Sequence, residues 1–389
     1  MRRLLLLCFG CVLVLLTLIY VFDVSYLFKG VQSTYLRGES SAQIDDSKFF
    51  YNRVVVSNNP KKIPLGYNYN DSIISDSLDF VLKKSKSVAF LVVQRDSVRF
   101  EKYWRFGNSD FSTNSFSMAK SIVSLLVGCA IDSGFISSVN QSVFDFIPEL
   151  TPFRGHDVSV RHLLEMSSGL DWLEHYKKPI SVTAKSYYGT NLKKLMLERE
   201  FVSPPGLVHE YKSGDTQLLG IILERAVGKN ISSFASEVLW SKIGAKNNAF
   251  WSLDYNGGLE KVFCCFNSNA RDFSKIGLLM LGGGSVFGER VVSSEYVDWL
   301  KSPVGLVDVD GGKTVDYYAN GWWVGEVLDK PVVYARGFNG QYIVVVPDLD
   351  LVFVRLGLSE NEKSENNNNY KLTDNLKFFT EEVIKEYSF

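Results

Sequence analysis

Lys120 stands immediately before Ser121-Ile122-Val123-Ser124-Leu125-Leu126-Val127-Gly128, a stretch that reads as a buried helix. A lysine at the head of so apolar a helix is carried toward the interior with it. Ser117 lies three residues earlier, and residues three apart share a helix face. If the helix starts near Ser117, a hydroxyl and an amine meet at its N-terminus. There, unpaired N–H groups and the helix dipole favour negative charge. Acyl transfer needs this pairing of a serine nucleophile with a base, and burial lowers a lysine pKa toward the range a general base requires. Ser117-Met118-Ala119-Lys120 is the only Ser-x-x-Lys in the chain. The structural alternative is that Ser117 simply caps the helix.

The length of 389 residues allows one large domain or two. A hydrophobic content of 46% with 22% charge describes a globular chain with ample core, and a net charge of -1 gives no argument for nucleic acid. Aromatic residues at 14% suit a broad core or an aromatic-lined cleft. Cys8 and Cys11 fall in the N-terminal apolar run, leaving Cys129, Cys264 and Cys265. Adjacent cysteines rarely pair and no metal-ligand spacing occurs, so neither a disulfide framework nor a zinc site is expected. No metal or cofactor is implied.

After Met1-Arg2-Arg3, a cytoplasmic tip, Leu4–Phe22 carries no charge. About 19 residues suffice to cross a ~30 Å hydrocarbon core. No small-x-small cleavage site follows, so the expectation is an uncleaved transmembrane anchor, with a cleaved signal peptide as the alternative. The preceding positive charges keep the N-terminus inside and export the rest. Residues 23–66 read as a tether, and 67–389 as the globular domain.

Within that domain Ser87–Gln94 and Val98–Trp104 read as a hairpin. The helix after Ser117 ends near Gly134. Val158–Leu170 reads as a short helix closed by Gly169, with His162 packed on it. Thr216–Val227 and Asn269–Gly277 read as further helices, and Trp240 and Trp251 as core. Tyr318–Val327, Val332–Arg336, Gln341–Val346 and Leu351–Leu356 read as a meander of strands, and Leu372–Tyr387 as a terminal amphipathic helix. Strands, a long helical insertion, more strands and a helix imply an α+β fold: an antiparallel sheet flanked by helices, with a helical lobe. Tyr187 and Tyr188 are candidates for one wall of a cleft.

Four ordered stretches resemble the serine β-lactamase superfamily. They are Ser117-Met118-Ala119-Lys120; Arg161-His162-Leu163-Leu164 running to Ser168-Gly169-Leu170; Tyr211-Lys212-Ser213 after Pro205-Gly206; and Gly337-Phe338-Asn339-Gly340-Gln341. Within it the chain is most similar to the branch of class C β-lactamases, related esterases and 6-aminohexanoate-dimer hydrolases. The resemblance implies a β-lactamase/transpeptidase-like fold over roughly residues 67–389. It implies that Ser117 attacks an acyl carbon, that Lys120 and Tyr211 share the base role, and that backbone N–H groups of Ser117 and Gln341 hold the oxyanion. Gly340, Asn339, Phe338, Ser213, Tyr187, Tyr188 and Trp172 are the expected substrate-binding residues.

Two departures bear on substrate. Phe338 stands where the family usually has Lys or His for a substrate carboxylate, which favours a neutral or apolar acyl group. Ser213 replaces the more frequent Asn and offers fewer hydrogen bonds. The resulting expectation is a single-pass inner-membrane serine hydrolase facing the periplasm. It would cleave an ester or small amide, including D-amino-acid or oligomer-type amides. The alternative is a penicillin-binding-like protein that is acylated by cell-wall peptides without turnover.

Overall fold

The computed structural model describes residues 9–10, 13, 17, 19, 21–71, 74–360 and 372–388. Its principal strands are β1 (Tyr51–Val55), β2 (Ser87–Gln94), β3 (Ser97–Tyr103), β4 (Thr113–Asn114), β5 (Ala249–Leu253), β6 (Phe266–Ser268), β7 (Tyr318–Ala319), β8 (Trp322–Val327), β9 (Lys330–Gly337), β10 (Gln341–Val346) and β11 (Leu351–Gly357). Its principal helices are α1 (Tyr26–Ser33), α2 (Asp76–Lys84), α3 (Met118–Asp132), α4 (Val160–Leu164), α5 (Val182–Tyr188), α6 (Ser213–Val227), α7 (Ala270–Leu281) and α8 (Asp374–Tyr387).

Seven strands form one antiparallel sheet in the order β7-β8-β9-β10-β11-β2-β3. β2 and β11 are buried at every position, so both faces of the sheet are covered. Alternation along the strands divides the apolar side chains between two layers. Phe90, Val92, Val344 and Phe353 pack with Leu78 and Leu82 of α2 and Leu376, Phe379 and Val383 of α8. Leu91, Val93, Ile343, Val345, Val352 and Val354 face α3 and α7 on the other side. The α+β sandwich expected from the order of elements is therefore present, and residues between α3 and α7 supply the helical lobe.

The expected strand Tyr318–Val327 is instead a tight hairpin. Asn320 (φ 51°) and Gly321 (φ 99°) turn the chain so that Tyr318 opposes Trp323. Two left-handed residues match the twist of a two-residue hairpin loop. A side chain at Gly321 would come within 2.8 Å of Ser124 on α3.

The stretch expected as a tether is packed on the domain. β1 joins a second sheet, β1-β5-β6-β4, and Ile44, Val55 and Ile63 are buried in the main core. These apolar side chains gain burial, and the β1 backbone gains a ladder with β5. Most of Leu4–Phe22 lies outside the described residues, and among those described no helix is long and apolar enough to cross a membrane. Cys264 and Cys265 form a disulfide, contrary to expectation. Cys265 adopts a left-handed φ of 69°, part of the turn that brings the two side chains together.

Arg355 lies fully buried in β11. Burial pushes its pKa down to about 9. Its guanidinium donates to the Ser87 hydroxyl and to the carbonyls of Ser85, Asn339, Gly340 and Ser359. One side chain thus joins the start of β2, the β9–β10 turn and the end of β11. Arg355→Met should lower the unfolding free energy by roughly 2–4 kcal/mol in urea titration, because several buried acceptors lose their donors. Arg355→Lys should not restore it, since a single ammonium cannot span that fork.

Candidate active site

Ser117 occupies the N-cap position of α3, but its hydroxyl makes no capping bond. The Lys120 Nζ lies 3.0 Å from Ser117 Oγ and 2.9 Å from the Phe263 carbonyl. The hydroxyl is thus engaged by the amine rather than by the helix end. Lys120 is only 3% exposed. Burial pushes its pKa down to about 8, with the charge of Glu174 pulling the other way.

The nucleophile sits on a strained bend. Phe116 has a φ of 45°, which a bulky side chain adopts only when its surroundings impose it. Asn114 supplies much of that constraint. Its Oδ1 accepts from the N–H groups of Phe116 (2.9 Å) and Cys265 (3.1 Å). Ser115 N–H donates to the Phe266 carbonyl at 2.8 Å. The 263–266 segment therefore anchors both the nucleophile loop and Lys120.

The second motif arrives on the loop before α6. The Tyr211 ring centroid lies 5.0 Å from Lys120 Nζ, and the ring packs against Tyr318 and Trp323. Ser117, Lys120 and Tyr211 are thus brought together, as the motifs imply. Ser213 is turned away from the expected substrate role. Its N–H and hydroxyl both donate to Glu174, at 2.8 and 2.9 Å. Trp172 is buried and donates its indole N–H to the same carboxylate at 2.8 Å.

Gln341 is not at the sheet edge. β10 lies between β9 and β11, and Gln341 is fully buried. Its side-chain amide bonds the Phe338 carbonyl and both backbone groups of Gly357. The strand passing the nucleophile is β9, where a side chain at Gly337 would clash with the Ser115 carbonyl at 2.1 Å. Gly337 C=O accepts from Gly340 N–H on the hairpin side. Across a trans peptide the N–H of Phe338 therefore points away from β10, on the side where pairing with β8 has already ended at Tyr334. Among the described residues, neither Ser117 N–H nor Phe338 N–H has a hydrogen-bond acceptor. Gln341, the donor expected from sequence, is thus paired inside the sheet opposite Gly337, whereas Gly337 itself approaches the nucleophile loop.

Phe338 is 38% exposed and packs edge-on to Phe116, with centroids 5.5 Å apart. Tyr176 stacks on its other side at 6.1 Å. Asn339 reaches back to the Ala42 carbonyl, and the Gly340 carbonyl is held by Arg355. Tyr187 is buried behind the nucleophile loop, accepting from Asn114 and donating to Asp46. Tyr188 packs under α1 against Gly30. Neither tyrosine lies at the exposed surface beside the nucleophile loop, where Phe338 and Tyr176 stack. Asn114, Glu174, Tyr176 and Arg355 were missed from sequence. Only Arg355 carried a signal, a charge inside the apolar run Leu351–Leu356. His162 is structural, its Nδ1 accepting from Ser159 N–H at the start of α4.

A model of the family described as Beta-lactamase matches residues 80–374. The chain is 30% identical over 305 residues to a 6-aminohexanoate-dimer hydrolase of Paenarthrobacter ureafaciens, covering 71% of this chain and 73% of that one. Among solved structures it is similar to a Bacillus anthracis protein assigned as a 6-aminohexanoate-dimer hydrolase. That match has a TM-score of 0.73 at 22% identity and covers 90% and 93% of the two chains. It is also similar in fold to a family VIII carboxylesterase, with a TM-score of 0.62 at 15% identity over 84% and 98%. The family model spans most of the chain and the site carries the matching Ser117, Lys120 and Tyr211, so the chain belongs to the β-lactamase family.

Proposed function

We propose that this β-lactamase-family serine hydrolase cleaves esters or small amides of neutral, apolar acyl groups through an acyl-enzyme on Ser117. The observation that carries the reading is the 3.0 Å contact between Lys120 Nζ and Ser117 Oγ in a site dry enough to lower the lysine pKa. The names of the relatives, a 6-aminohexanoate-dimer hydrolase and a carboxylesterase, support esters and oligomer-type amides as the substrate class; D-amino-acid amides belong to the same proposal. The uncharged run Leu4–Phe22 behind Arg2 and Arg3 supports a single-pass inner-membrane protein with its catalytic domain on the periplasmic side.

In the neutral state of Lys120 the contact reverses direction, and Ser117 Oγ–H donates to the amine. Oγ attacks the acyl carbon while its proton passes to the Lys120/Tyr211 pair. The oxyanion is held by the N–H groups of Ser117 and Phe338. Collapse expels the alcohol or amine, which takes the proton back. Water then attacks the acyl-enzyme, its proton follows the same path, and Ser117 is regenerated. Glu174 does not touch the reacting atoms. It positions Ser213 and biases the charge of Lys120.

Intact-mass spectrometry with a nitrophenyl ester panel tests the core of this reading. Steady turnover that Ser117→Ala abolishes is expected; a stable single adduct without turnover would instead indicate the penicillin-binding-like alternative. The kcat/KM should rise with pH along a limb near 8, where Lys120 loses its proton, and the limb belongs to the coupled Lys120/Tyr211 pair. Glu174→Gln removes a negative charge that favours the lysinium, so the limb should move to lower pH. An unmoved limb would remove Glu174 from this role. Phe338→Ala keeps the backbone N–H but opens the lip. It should cost about tenfold in kcat/KM on long or aromatic acyl esters, equivalent to ~1.4 kcal/mol, with little change on the acetyl ester.

A further inference from the structure

The inward face of α1 is fixed by Tyr26, Gly30 and Ser33, all buried. The outward face presents Phe28 and Val31, and the following turn adds Tyr35 and Leu36. Val21 and Phe22 precede them, also exposed. Leu36 and Phe22 are 76% and 68% exposed, and it is the clustering of such side chains around one helix, not their individual exposure, that marks an interaction surface. The apolar surface continues onto the neighbouring loop, where Leu173, Tyr176 and Ile180 are exposed around Lys177 and Lys178. Tyr26 Oη donates to the Pro179 carbonyl at 3.2 Å, tying helix to loop, and Asp23, just before α1, pairs with Lys185 of α5 at 2.6 Å. Its far end is the cleft, since Tyr176 is stacked on Phe338.

The occupant of this surface is indicated by the chain that enters it. The uncharged run Leu4–Phe22 ends at the patch. Only Asp23, Val24 and Ser25 separate it from Tyr26, a reach of ~14 Å at full extension. Because α1 is docked on the domain, that short reach is all the slack there is between the domain and whatever holds the run. Aromatic and aliphatic side chains interspersed with lysines suit the headgroup and upper acyl region of a bilayer, where the ammonium groups reach phosphates.

We propose that the outer face of α1 and the 173–180 loop lie in the bilayer surface, so that the active-site cleft opens onto the membrane and draws amphiphilic acyl esters or amides from it. This rests on the anchored serine-hydrolase reading above. The surface then sets substrate selection by presentation: long-chain acyl compounds residing in the bilayer reach Phe338 and Tyr176 without leaving it.

The test uses the full chain in phosphatidylcholine vesicles and the triple variant Phe28→Ser, Leu36→Ser, Ile180→Ser, none of which belongs to the catalytic machinery. Two substrates are compared, water-soluble nitrophenyl acetate and a long-chain acyl nitrophenyl ester dissolved in the bilayer. The variant should keep its acetate kcat/KM within twofold and lose about tenfold or more on the bilayer ester. A fluorophore on Leu36→Cys should be quenched by lipids carrying a headgroup-depth nitroxide. Equal effects on both substrates, no effect on either, or an unquenched fluorophore would overturn the proposal. A variant that changes only the oligomeric state in detergent would overturn it too, by assigning the face to a second copy of the chain. If the parent chain fails to hydrolyse acetate, the serine-hydrolase reading falls, and the quenching still decides the placement of the face.

Discussion

The site is built around a lysine held out of water. Transferring an ammonium to such a place is costly unless it is paired, and the group responds by giving up its proton more easily. Lys120 has three neighbours that fit this demand: the Ser117 hydroxyl, the Phe263 carbonyl and the Tyr211 ring face. Each comes from a different segment. The apolar body of α3 excludes solvent, the 263–266 turn supplies the carbonyl, and the loop before α6 delivers the aromatic ring. Exposure of Lys120 to solvent would release the constraint that makes the amine a base near neutral pH.

A second layer keeps the first in register. Phe116 is held in its left-handed conformation by Asn114, and Asn114 is in turn held by Tyr187 and the N-terminal segment. Asn114 N–H donates to the Ile44 carbonyl, and Asn339 to that of Ala42. Residues 42–46 thus cross behind the nucleophile loop and reach the β9–β10 turn. Arg355 grips the same turn from within the sheet. The loop that presents Phe338 is therefore fixed from two sides by groups far from it in sequence.

The parts of this arrangement that rest on local pattern were legible in the sequence. Apolar periodicity gave α3, α6, α7 and the β2–β3 hairpin, and the spacing of Ser117 and Lys120 on one helical turn gave the catalytic pair. Tyr211 was legible through its motif. What depends on non-local pairing was not. Gln341 and Phe338 lie three residues apart, and only the strand order decides which N–H faces Ser117. Residues 23–66 lack a strong helical or strand pattern, so their burial could not be seen before their partners were placed. The turn at Asn320-Gly321, read as part of one strand, emerges only when Tyr318 is seen to pair with Trp323.

The central pairing of the main sheet joins residues 87–94 to residues 351–357, and Asn339 closes onto Ala42 across 297 positions. Contacts of such sequence separation form late, because loop closure must be achieved before they contribute. A nascent chain emerging N-terminus first would hold Ser117 and Lys120 on a helix long before β9 and β11 exist to complete the cleft. The nucleophile therefore stays unarmed during synthesis. Competence to attack an acyl group would arrive together with the last strands of the sheet, as a property of the finished molecule rather than of any segment of it.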